Sequence, residues 1–168
     1  MRRHGGLTDF GREAIRECNR LGIVVDVAHC THRGIVQARE TSTKPLVYSH
    51  GWASPEQPAW DQRNARAIHS PLAKAIANEG GVVGIFPIQR SIAQYAAALN
   101  ALANAIGAHH AGMGVDLDGL SRPAIATYRD LPELARELGS LGMKDAAIDG
   151  VLGGNYLRVL KQALGRLG

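Results

Sequence analysis

The sequence predicts an α/β fold with about four parallel strands and helices packed around them. Three observations carry that prediction. Four short runs of β-branched and apolar residues alternate with helical periods in the order α-β-α-β-α-β-α-β-α, the pattern of βαβ units and a parallel sheet. The strand runs are apolar almost throughout, as in strands covered on both faces. Three of the runs end on side chains with chemistry: Val24-Val25-Asp26-Val27-Ala28-His29, Val47-Tyr48-Ser49-His50 and Ala111-Gly112-Met113-Gly114-Val115-Asp116. In parallel α/β proteins the C-terminal ends of the strands open onto the ligand crevice.

In chain order, Thr8 is placed to cap a helix over about Asp9–Leu21, with Asp9 where the helix dipole favours an acid. Phe10, Ala14, Cys18 and Leu21 recur at a spacing of three to four and are expected on its buried face. Gly22 stops it, and a strand follows at Ile23–Val27. Thr31 caps a second helix, about His32–Thr41, and Pro45 opens the strand Leu46–Ser49. From Gly51 to Ala67 no period fits. A loop of this length at the C-terminal end of a strand is functional or disordered, and Trp52 and Trp60 argue for an ordered lid or pocket wall.

Ser70-Pro71 reads as an N-cap followed by proline at the first helical position, opening a helix to about Asn78. Gly80-Gly81 leads into the strand Val82–Phe86. An alanine-rich helix, about Ser91–Ile106, precedes the strand Ala111–Val115. The loop Asp116–Arg129 and helical segments at Pro132–Leu141, Lys144–Val151 and Asn155–Leu167 complete the chain. Four strands leave two architectures open: a small open α/β domain, or half of a closed (β/α)8 barrel, which needs eight strands and roughly 250 residues.

A length of 168 residues predicts one domain, residues 1–168. Hydrophobic residues make up 45% and charged residues 20%, which excludes a disordered chain. The net charge is +4, but Arg2-Arg3 is the densest basic pair. The charge therefore reads as a solvated surface, with no nucleic-acid partner. Cys18 and Cys30 are too few for a disulfide framework and form no CxxC. Cys18 reads as a small core residue, and Cys30, directly after His29, as structural filler or a residue near a metal. No apolar run approaches the ~20 residues that span a bilayer, and no apolar stretch follows the basic start. The expectation is a cytoplasmic chain with no signal peptide and no membrane span.

Neutral imidazoles at adjacent strand ends can converge on one zinc ion, and a nearby aspartate can bind metal or move a proton. His29, His50 and Asp116 supply those residue types in that direction. Satisfied core or surface histidines give the same spacing, so both readings stand at this point. His4, His32, His69, His109 and His110 read as structural or surface residues. Asp26 lies inside a strand and needs partners: it either holds a neighbouring ligand or accepts backbone N–H bonds. Asp118 reads as a loop cap. Arg63, in the long loop, is either a surface arginine or a guanidinium that grips a carboxylate.

Taken together, these stretches resemble the membrane (renal) dipeptidase family of zinc peptidases, of the amidohydrolase-like barrel type. The resemblance runs from Gly6-Leu7-Thr8-Asp9-Phe10-Gly11-Arg12-Glu13 to Gly153-Gly154-Asn155-Tyr156-Leu157-Arg158-Val159. Between these fall Val25-Asp26-Val27-Ala28-His29, Tyr48-Ser49-His50, Gln62-Arg63-Asn64, Gly80-Gly81-Val82-Val83-Gly84 and Gly112-Met113-Gly114-Val115-Asp116-Leu117-Asp118-Gly119. It implies a (β/α)8 barrel with two zinc ions, whose bridging hydroxide attacks the peptide bond of a dipeptide. His29 and His50 would bind the second zinc. Arg63 would hold the substrate carboxylate, and Asp116 would face both metal and substrate as the proton shuttle.

The resemblance corresponds to the C-terminal half, strands five to eight. The family's His-x-Asp on the first strand and its bridging glutamate on the third have no counterpart here. Half a barrel leaves two unpaired edges and exposed apolar faces. The natural remedy is self-association into a homo-oligomer or pairing with a complementing N-terminal half. Two functions follow as expectations: a zinc-dependent dipeptidase present as its C-terminal portion, or a non-catalytic truncated or split-gene subunit that assembles with another chain.

Overall fold

Strand pairing in this chain is parallel throughout the residues that the computed structural model describes, 5–54, 67–116 and 119–165. The main sheet has the order β1 (Val47–Tyr48), β4 (Val82–Ile85), β5 (Ala111–Met113). Asp26 adds a parallel bridge to Val47 on the free side of β1. Val27 N–H donates to Val47 O at 2.8 Å, and Val47 N–H to Val25 O at 3.0 Å. The four predicted strands thus lie side by side in chain order, with helices between them, as successive units of a (β/α)8 wall do.

The first of these strands is shorter than the expected Ile23–Val27. It pairs on one side only, so Ile23 stays half exposed and the ladder reduces to the contacts around Val47. Two short strands also flank the aperiodic stretch that follows Gly51. β2 (Trp52–Ser54) and β3 (Ala67–His69) form a separate parallel pair. Each is three residues long, too short for an alternation to show. Trp60 and Arg63 lie outside the described residues, as do His4 and Asp118.

Alternate strand residues face opposite sides of the sheet. Tyr48, Val83, Ile85 and Ala111 enter the main core with Leu72 and Ile76 of α3 (Ser70–Asn78) and Tyr95, Leu99 and Leu102 of α4 (Ile92–Ile106). Ile35 and Ala38 of α2 (His32–Thr41) join the same core, as do Leu134 and Leu138 of α5 (Leu131–Ser140) and Ile148 of α6 (Asp145–Asp149). Val47 and Val82 point the other way, against Val159 of α7 (Asn155–Leu164), with Val24 and Tyr156 beside them. Asn155 fastens α7 through Nδ2, which donates to Ala108 O and Ala111 O, both at 2.8 Å.

α1 (Asp9–Leu21) begins and ends as the sequence predicts. Thr8 accepts from Gly11 N, and Gly22, at φ 73°, closes a Schellman cap in which Ile23 N–H reaches Cys18 O. Its buried face differs. Phe10 is 78% and Leu21 53% exposed, and Ile15 is the buried residue. Polar anchors set this rotation: Arg12 donates to Thr41 Oγ1, and Asn19 Oδ1 accepts from Ser42 and Thr43. The cap of α3 is corrected too. His69, not Ser70, is the N-cap, its Nδ1 accepting from Leu72 N at 3.3 Å. No helix among the described residues is long and apolar enough to cross a membrane.

Candidate metal centre

His29 stands in the turn that takes the chain from the first strand to α2. Cys30 N–H donates to Val27 O at 3.2 Å, and His29 sits at φ 65°, the turn position that usually holds glycine. A β-carbon there costs about 1–2 kcal/mol. Asp116, just past β5, has φ 41°. Among the described residues, two of the three non-glycine residues with positive φ are therefore candidate site residues. Strained backbone of this kind clusters at functional sites.

His50 follows β1. Its Nε2 meets His29 Nε2 at 2.7 Å, and Asp116 Oδ2 lies 4.0 Å from the same nitrogen. Ser49 Oγ sits 2.7 Å from His50 Nδ1. With the proton on Nδ1 and directed at Ser49, Nε2 keeps its lone pair for a cation, the arrangement that metal-binding histidines use. Phe86 packs on the His50 ring with centroids 5.1 Å apart, and Trp52 packs on Phe86 at 5.5 Å. Trp52, one of the two tryptophans expected in a lid or pocket wall, thus lies in a ring stack that ends on His50. Gly114 lets the end of β5 come this close: a Cβ there would lie 2.8 Å from His50 Cα.

Asp26 accepts backbone bonds. Its Oδ1 takes Ala28 N–H at 2.9 Å and Ser49 N–H at 3.1 Å. Its charge reaches further. Burial, and then the Asp26 carboxylate, raise the Cys30 thiol and push the Tyr48 phenol up to about 12. Tyr156 is raised chiefly by burial, with Tyr95 and Asp26 adding to it. Tyr156 Oη lies between Ser49 O at 3.1 Å and Met113 O at 2.9 Å. Every polar group of Ser49 is thus engaged: N–H by Asp26, Oγ by His50, C=O by Tyr156.

A second histidine pair joins the first residue of α2 to the last residue of β3. His69 Nε2 lies 3.3 Å from His32 Nδ1, with ring centroids 4.6 Å apart. Because His69 Nδ1 accepts from Leu72 N, the imidazole proton is on Nε2 and points at His32. Burial first, and the neighbouring His32 second, lower the pKa of His69. His110 Nδ1 bonds Gly81 O at 2.9 Å, at the opposite end of the strands.

The first pair fits a divalent metal as part of a ligand set. Two imidazole nitrogens converge at strand ends with a carboxylate beside them. The 2.7 Å gap would open to about 3.3 Å for two nitrogens at ~2.05 Å from a tetrahedral zinc. Among the described residues no group of three or more His, Cys, Asp or Glu surrounds a common point, so the set is partial. The structure brings together His29, His50 and Asp116, and Arg63 is outside its described residues. Sequence reading missed Ser49 and Tyr156. The Tyr-Ser-His run was visible, but no period marks a hydroxyl that orients the ring next to it.

The membrane dipeptidase family, peptidase family M19, matches residues 1–165. A dipeptidase of Aspergillus oryzae, aclJ, is 31% identical over 94% of this chain and 39% of its own length. Dipeptidase 3 of Mus musculus is 30% identical over 94% of this chain and 33% of its own. Among solved structures, the M19 metallopeptidase dipeptidase AC superposes with a TM-score of 0.82 at 27% identity, covering 96% of this chain and 49% of that one. A metallopeptidase from Rhodobacter sphaeroides, bound to a phosphinate mimic of the dipeptide L-Ala-D-Ala, gives the same TM-score and identity over 95% and 48%. The chain spans less than two fifths of these curated relatives and about half of these solved chains.

Proposed function

From the premise that this chain belongs to the membrane dipeptidase family, and has the fold of half its (β/α)8 barrel, we propose that it carries the second-zinc side of a dipeptidase centre. One observation supports this most: His29 Nε2 and His50 Nε2 meet at 2.7 Å at neighbouring strand ends, with Asp116 Oδ2 4.0 Å from His50. His29 and His50 would hold the zinc, which when bound supplies Lewis acidity for the attacked carbonyl and an acidified water.

The chain's own residues do the rest. Ser49 keeps the His50 proton on Nδ1. Asp116 takes a proton at Oδ2 as water adds to the peptide carbon, and returns it to the leaving amine nitrogen as the C–N bond breaks. Arg63 grips the substrate carboxylate. The remaining ligands come from outside these residues, either from further polypeptide or from a complementing chain. The exposed Phe10, Leu21 and Ile23 suit such a contact.

Titration of the chain with zinc tests the reading. About one ion should bind, and His50→Ala should remove it. Binding that survives His50→Ala would overturn the assignment. The competing reading is a non-catalytic subunit that assembles with another chain. It predicts no dipeptide hydrolysis with zinc added, either by the chain alone or with its complement.

A further inference from the structure

The parallel ladder at the edge of the sheet is broken in a specific way. Val47 N–H bonds Val25 O, and Val27 N–H bonds Val47 O. The next rung of a parallel ladder would take Ser49 N–H to Val27 O. That carbonyl is instead taken by Cys30 N–H at 3.2 Å, in the turn that holds His29. The Ser49 amide is left without its ladder acceptor, at the residue before His50.

Asp26 fills the gap. Its Oδ1 accepts the Ser49 amide at 3.1 Å and, two residues along its own strand, the Ala28 amide at 2.9 Å. The second bond is the Asx-type contact that steers a chain into a turn. One oxygen therefore serves the backbone under both histidines. It lets the first strand leave the ladder at Val27 and curl back, while the second runs straight on to His50.

We infer that Asp26 is the positioning residue of the histidine pair, acting through these two amides to make His29 and His50 converge. This rests on the metal reading of that pair. Its reach is set by length. Aspartate spans from one strand to the amide beside it, alanine has no acceptor, and asparagine offers the same carbonyl oxygen without the charge.

The test compares Asp26→Ala and Asp26→Asn in the 168-residue chain, using cobalt(II) as the probe. Affinity and visible absorption of the bound ion are measured, together with metal-free amide exchange at Ala28 and Ser49. Asp26→Ala should weaken cobalt binding about tenfold or more, as loss of a ligand-orienting partner does, alter the spectrum, and speed exchange at both amides. Asp26→Asn should restore affinity to within about threefold and keep both amides protected. Wild-type affinity in Asp26→Ala would overturn the inference, and so would equal losses in both variants, which would make charge the operative property. If Asp26→Ala does not fold, Asp26→Asn decides alone, and unprotected amides or lost affinity in it overturn the inference. If the wild-type chain binds no cobalt, the metal reading fails, and amide exchange still decides the role of Asp26.

Discussion

Two histidine pairs in this molecule look alike and differ in what they can do. His29 and His50 approach through Nε2 and Nε2 at 2.7 Å, and His69 and His32 through Nε2 and Nδ1 at 3.3 Å. The ring pairs are also similar, with centroids 4.7 and 4.6 Å apart. The difference lies on the far nitrogen. In His50 it faces a serine hydroxyl, which can accept a hydrogen bond from Nδ1–H and so leave the Nε2 lone pair to a cation. In His69 it faces the Leu72 amide, which can only donate, so Nε2 carries the proton and has no lone pair to give. A pair of histidines at ligand distance is a metal site only where the other edge of each ring allows it.

The sharpest way to break the comparison is by deletion. His50→Ala should abolish zinc binding, while His32→Ala should leave it within about threefold, both read by calorimetry. Equal losses would erase the distinction. A smaller effect is expected from Ser49→Ala, which removes the acceptor on Nδ1 but no ligand. Affinity should fall about tenfold, near 1.4 kcal/mol. An unchanged affinity would show that the serine does not hold the tautomer.

The second pair should instead report on folding. His69→Ala removes a helix cap and should cost about 1–2 kcal/mol in urea unfolding. His69→Asn keeps a capping acceptor and should cost less, and zinc affinity should change in neither. The smallest effect is in pH. His69 titrates below the ordinary histidine value when folded, so below about pH 6.5 the unfolded chain binds more protons than the folded one. Its contribution to stability is complete above that pH and declines as pH falls through it. Wild-type stability should therefore drop more steeply on acidification than that of His69→Asn, in parallel urea series between pH 7 and 5.

Much of this was readable from the sequence. Apolar runs ending in His29, His50 and Asp116 located the three strand ends, because strand direction and burial leave a strong compositional trace. Four things left none. β2 and β3 are too short to alternate. α1 turned its Phe10–Leu21 stripe outward because Arg12 and Asn19 made their bonds to α2 and the residues after it, and hydrophobic spacing is silent about such anchors. The cap of α3 was misassigned because Ser70-Pro71 is the stronger local signal, whereas His69 is chosen by its burial and by His32. The αL turn at His29 was hidden for a related reason: no glycine marks it, and Asp26, which steers it, reads from sequence as an ordinary buried acid.

Tyr156 has a consequence for how the molecule opens. Its hydroxyl, 107 residues away in the chain, lies on the carbonyl of Ser49, directly beneath His50, while Val159, one turn on, packs on Val47 and Val82. The first turn of α7 cannot unwind without freeing the backbone that carries the second histidine. The start of α7 and the candidate centre therefore belong to one cooperative unit of local unfolding. A cation held at His50 should slow amide exchange along α7.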